Sequence, residues 1–191
     1  MLDRARATGT YDRLVHADAG RWRPEEPAAV IFSNAALHWL PDHDRLIPHL
    51  AGLLAPEGTL AVQMPANFLA PSHALLREVA AGLWPDRFSA RDYVPPVQPA
   101  RHYLSLLAPL GDAQAWETTY LMRLGPVPTG HPVRWFTQST AMRPYLDRLS
   151  SAEAARLIDG YDDVLSTAYP AESDGSAVLP FTRLFFLLTR P

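Results

Sequence analysis

The sequence predicts an α/β fold with an open sheet of parallel character, and three observations carry that prediction. Residues 28–32, AAVIF, form an unbroken apolar run that breaks at Ser33 and Asn34, the pattern of a strand buried on both faces. Leu46, Ile47, Leu50, Leu53 and Leu54 then recur at helical spacing. Pro56-Glu57-Gly58 stops that helix, and Thr59-Leu60-Ala61-Val62 begins a second apolar strand ending in Gln63. Together these make one βαβ unit. Its two neighbouring strands bring Ser33, Asn34, Gln63 and Asn67 to one sheet edge, the place where open α/β sheets bind ligands.

The remaining elements follow in chain order. Residues 2–8 read as the end of a helix without a cap, and residues 13–17, RLVHA, as a short strand ending at Asp18. Asp18 either caps the turn before Gly20 or hydrogen-bonds a ligand at the strand's carboxyl end. A Pro-flanked loop covers residues 21–27. Residues 70–84 carry a helical stripe of Leu75, Leu76, Val79, Ala80 and Leu83, with His73 and Arg77 four apart on one face. A Pro-rich connection (87–99), a short helix (100–110) and a strand (114–124) with Trp116, Thr118, Thr119 and Tyr120 come next. Two helical pieces, 133–139 and 141–149, precede a helix capped by Ser150 or Ser151 that runs to about Tyr169. The apolar TRLFFLLT, residues 182–189, closes the chain as a strand.

Composition bounds the function. The 191 residues contain no cysteine, which excludes disulfides, thiolate metal sites and thiol nucleophiles. A net charge of -3 without a basic stripe argues against a nucleic-acid or membrane partner. No apolar run approaches a membrane span and the N-terminus lacks a signal-peptide core, so the expected compartment is cytoplasmic. Every basic residue counted in Lys+Arg is arginine, so an anionic ligand must be held by Arg, His, backbone N–H groups or neutral donors. His16, His38, His43 and His49 fit no zinc spacing, and no metal is expected.

Asp18 after its short strand, SNAALHWLPDH, PEGTLAVQMPANFLAPSHALLREVA, TTYLMRL, WFTQSTAMRPYL and LPFTRLFFLLTR together resemble the trans-aconitate 2-methyltransferase family. That family belongs to the S-adenosylmethionine-dependent methyltransferases of class I. The resemblance covers essentially the whole chain, with AVQMPANFLAPSHALLREVA its most specific part. It implies a partial doubly wound Rossmann-like sheet lacking its first two strands, with a helical cap. Residues 1–125 and 181–191 would be the C-terminal portion of the methyltransferase α/β domain. Residues 126–180 would be a mainly helical cap over the substrate crevice.

In the family, a strand, a D-x-G-C-G-x-G-like loop, a helix and a second strand ending in an acidic residue come before the part that this chain matches. These 191 residues contain none of them. The glycine loop lets the backbone approach the cofactor and the acidic residue receives the ribose hydroxyls, so the resemblance implies a truncated member with half a cofactor site and impaired activity. It also implies that residues 30–32 become an exposed apolar strand edge, a site of aggregation or of pairing with another copy.

The chemistry implied is methyl transfer from a sulfonium to a carboxylate of a small polycarboxylic acid. A carboxylate is already ionised near neutral pH, so no general base and no catalytic side chain is expected; positioning and exclusion of water do the work. S-adenosyl-L-methionine would meet Asp18 and Ala19 at the adenine, Asn34 and Ala35 at the methionine end, and Trp39 beyond them. The acid would meet His38, Gln63, Asn67, the His73 and Arg77 pair, and Trp135, Arg143 and Tyr145 of the cap, with Arg143 as the preferred carboxylate partner. Plainer readings stay open: strand-end turns for Asn34, Ala35 and Asn67, core packing for Trp39, and a solvated surface for Arg77.

Overall fold

The computed structural model describes residues 2–91 and 93–191; Met1 and Asp92 lie outside the described residues. In chain order the elements are α1 (Leu2–Thr8), β1 (Ala28–Asn34), α2 (His43–Ala51), β2 (Leu54–Pro65), α3 (Pro71–Leu83), α4 (Ala100–Leu107), β3 (Asp112–Leu124), α5 (Pro132–Gln138), α6 (Arg143–Leu146), α7 (Ser151–Ala168) and β4 (Ala177–Thr189). Short 3-10 turns occupy Leu37–Trp39 and Ala108–Leu110.

The four strands form one mixed sheet in the order β1-β2-β4-β3. β1 and β2 are parallel and joined through α2, whereas β4 runs antiparallel to both of its neighbours. Because side chains alternate along a strand, Leu60, Val62 and Met64 of β2 point with Leu184, Phe186 and Leu188 of β4 into one core. Ile47 and Leu50 of α2 and Tyr103 and Leu107 of α4 cover that face, Tyr103 stacking on Phe186 at 5.0 Å. A second core joins α3, α5 and α7, where Leu157, Tyr161 and Leu165 line one stripe of α7 and are wholly buried. Ser150 caps α7 in a capping box with Glu153.

Three expectations need correction. Residues 13–17 are not a strand: no described strand lies beside them to complete a ladder, and Val15 stays 44% exposed. β1 is not buried on both faces. It forms the sheet's edge, with Val30 63% and Phe32 73% exposed, because no described element covers that side. Finally, Pro56-Glu57-Gly58 does not stop the helix. α2 ends at Ala51 and β2 starts at Leu54; Ala28 pairs with Leu54 but Val30 with Thr59, so residues 55–58 are extruded as a bulge. Glu57 takes a left-handed φ of 61° there, and a Cβ on Gly58 would lie 2.9 Å from the Ala28 carbonyl oxygen. β4 also begins earlier than the apolar run, at Ala177. Among the described residues, no helix is long and apolar enough to cross a membrane, and no cluster of acidic or histidine side chains could hold a metal ion.

Candidate functional site

The carboxyl ends of β1 and β2 shape the site. Directly after β1, Ala35 adopts a left-handed φ of 49° while its N–H donates to the Gln63 carbonyl at 2.9 Å. That abrupt turn lays Leu37–Trp39 across the strand ends. His38 is thereby buried against Phe68, and Trp39, 4.7 Å from the His38 ring, stays 75% exposed. After β2, Asn67 ties the chain to β4: its side-chain amide donates to the Thr182 carbonyl at 3.0 Å and accepts from the Thr182 N–H at 2.8 Å. Pro71 at the first turn then starts α3, which brings His73 and Arg77 round to the same side.

A cavity of about 780 Å³ opens there. α3 forms one wall, the connection through Arg87, Phe88 and Tyr93 a second, and α5 and α6 with Phe136, Thr140 and Tyr145 a third. The volume suits a small-molecule ligand. Its charge is one-sided: Arg77, Arg87 and Arg148 border it, and among the described residues no aspartate or glutamate does.

Those groups are held in defined states. Burial, helped by the Arg77 charge, holds the His73 imidazole down at about 4, so it is neutral near pH 7; its Nδ1 lies 3.1 Å from the Ser72 hydroxyl. Burial and then His43 lower His38 as well, and His38 Nδ1 is buried without a hydrogen-bond partner among the described residues. Burial raises the Tyr93 and Tyr145 hydroxyls against the opposing pull of Arg77. Arg77 donates to the Phe68 carbonyl at 2.8 Å and lies over the Tyr93 ring at 3.8 Å. Arg87 is paired with Glu153.

Of the residues expected at a site, His38, Trp39, Asn67, His73, Arg77 and Tyr145 border this cavity. Asn67 does so with its amide already committed to β4. Asn34 and Gln63 lie instead in a groove on the other sheet face with Phe32, Trp116 and Phe185. There Gln63 accepts from Arg183 at 3.0 Å, and its own amide nitrogen is buried without a partner among the described residues. Asp18 closes a turn by accepting from the Gly20 N–H at 2.9 Å, and Ala19 sits within that turn. Trp135 and Arg143 share a separate shallow groove, where the Trp135 indole N–H donates to the Thr129 carbonyl at 2.7 Å and Arg143 faces Asp147 at 3.7 Å. Arg143 is thus outside the cavity. Sequence reasoning missed Arg87, Phe88 and Arg148; Arg148 stands three residues after Tyr145 but in the turn beyond α6, so no local spacing signalled it.

The residues present fit one side of a nucleoside and methionine cofactor. The strained strand end at Ala35 and the buried Ser33 hydroxyl, without a partner among the described residues, mark a polar margin beside β1, and the Asp18 carboxylate is exposed with Arg21 3.7 Å away. The backbone donors of a glycine-rich loop are not among these 191 residues.

No family model matches the chain. It is 37% identical over all 191 residues to the trans-aconitate 2-methyltransferase of Shigella dysenteriae, spanning 73% of that protein. It is 38% identical to the enzyme of the same name from Azoarcus sp. BH72, spanning 74%. Among solved structures, the YcgJ protein from Bacillus subtilis superposes with a TM-score of 0.57 at 10% identity, covering 100% of this chain and 76% of that one.

Proposed function

The chain belongs to the trans-aconitate 2-methyltransferase family, and on that premise we propose that it serves S-adenosylmethionine-dependent methyl transfer to a carboxylate of a small polycarboxylic acid of the trans-aconitate kind. The observation that supports this reading most is the cavity bordered by three arginines and no described acidic side chain. Arginine forks match carboxylates in geometry and charge. The cofactor supplies an electrophilic methyl group; this chain's part is to hold the acid and exclude water.

In this reading Arg77 and neutral His73 grip one carboxylate from a single helix face, with His38 and Tyr145 as further donors and Trp39 as a wall at the cofactor side. Asp18, Ala19, Asn34 and Ala35 border the cofactor, and Asn67 holds the floor in place through Thr182. Gln63, Trp135 and Arg143 take supporting places outside the cavity. Residues 126–180 act as the cap, residues 1–125 and 181–191 as the α/β body, and the reaction belongs to the cytoplasm. The open β1 edge with exposed Val30 and Phe32 favours a second role, pairing with another copy of the chain.

The test is mass-spectrometric detection of a monomethyl ester after incubation with trans-aconitate and S-adenosylmethionine. Arg77→Gln is expected to lower kcat/KM by about tenfold to a hundredfold, through KM, since a charged contact to substrate is lost. With these 191 residues alone, which do not include a glycine-rich loop, turnover is expected only at high cofactor concentration. Ester formation unchanged in Arg77→Gln removes the clamp from the mechanism.

A further inference from the structure

Arg77 and Arg148 occupy matching situations on the cavity wall. Arg77 lies over Tyr93 and donates one N–H to a backbone carbonyl, that of Phe68. Arg148 lies 4.6 Å over the Phe88 ring and donates one N–H to the Arg87 carbonyl at 2.8 Å. Neither has a carboxylate within salt-bridge distance among the described residues, whereas Arg87, the third cavity arginine, is neutralised by Glu153. Between the two stacked guanidiniums runs an aromatic row: Tyr145 packs 5.2 Å from Phe88 and feels the Arg77 charge. A guanidinium has five donors, so each of these cations keeps unspent hydrogen-bonding capacity. Stacking on a ring fixes its plane without consuming those donors.

We infer that Arg148 is a specificity-determining residue, the second anion anchor of the cavity, which receives a carboxylate of the substrate other than the one held by Arg77 and so selects acids by their number of charges. This rests on the reading of the cavity as the acid site and adds to it the residue that counts carboxylates. An acid with one anionic group satisfies Arg77 alone and leaves Arg148 idle. An acid with three fills both anchors and leaves one carboxylate for methylation.

The test is calorimetric titration of the chain and of Arg148→Gln and Arg148→Lys with three saturated acids of graded charge: propane-1,2,3-tricarboxylate, glutarate and butyrate. For the unaltered chain the tricarboxylate and the dicarboxylate, which each fill both anchors, are expected to bind more tightly than the monocarboxylate. Arg148→Gln is expected to weaken the tricarboxylate about tenfold and leave butyrate unchanged, with Arg148→Lys recovering part of the loss. An equal loss for all three acids, or none, overturns the role of Arg148 while the acid-site reading stands. Failure of the unaltered chain to bind the tricarboxylate more tightly than butyrate overturns that reading itself, and the anchor with it.

Discussion

His73 works uncharged. Its folded-state pKa of about 4 lies below the ordinary 6.5, so between those values the folded chain binds fewer protons than the unfolded one. Its contribution to stability is therefore fully present above about pH 6.5 and is lost as the pH falls toward 4. Thermal melts at pH 7, 5.5 and 4.5 are expected to show a falling midpoint. His73→Gln should flatten the fall by on the order of 2 kcal/mol, leaving a residue with the same direction from His38. At this scale the sequence spoke where partners are local. His73 and Arg77 are four apart on one helix, and their neighbourhood was legible. The placement of Arg143 outside the cavity and Arg148 on its wall depends on how α6 is rotated against the connection at Phe88, information that spacing within α6 alone does not contain. The commitment of Asn67 to Thr182, 115 residues away, was likewise beyond local reading.

α7 is the element on which the second core depends. Tyr161 stands at its centre, wholly buried, and its hydroxyl donates to the Ser72 carbonyl at the start of α3; the Tyr169 hydroxyl accepts from the Ser72 N–H at 3.0 Å. The first turn of α3, which carries His73, is thus positioned by α7. Tyr161→Phe removes that hydrogen bond, and chemical denaturation is expected to record a loss of about 1 kcal/mol. The helices were legible because their signals are periodic and their caps local: Ser150 with Glu153, Pro71 in a first turn. Strands were less so. Residues 13–17 have strand composition but no ladder, and residues 55–58 look like a helix stop yet form a bulge, because pairing is decided by segments distant in sequence.

The molecule as a whole has a closed side and an open one. α2 and α4 cover one sheet face, whereas Phe32 and, on β3, Trp116 at 40% exposure remain accessible on the other. An uncovered apolar edge strand pairs with whatever strand it meets. Sedimentation velocity is expected to show concentration-dependent association, weakened at least tenfold by Phe32→Lys; a monomer at all concentrations would remove the pairing role. The order β1-β2-β4-β3 has one more consequence. β4, which follows the other described strands in the chain, is an interior strand, and β3 pairs with no other described one. Until residues 177–189 emerge from the ribosome, a nascent chain can join β1 to β2 but must leave β3 and the Asn67 tether waiting, so the cavity floor that Asn67 ties to Thr182 forms only once β4 is in place.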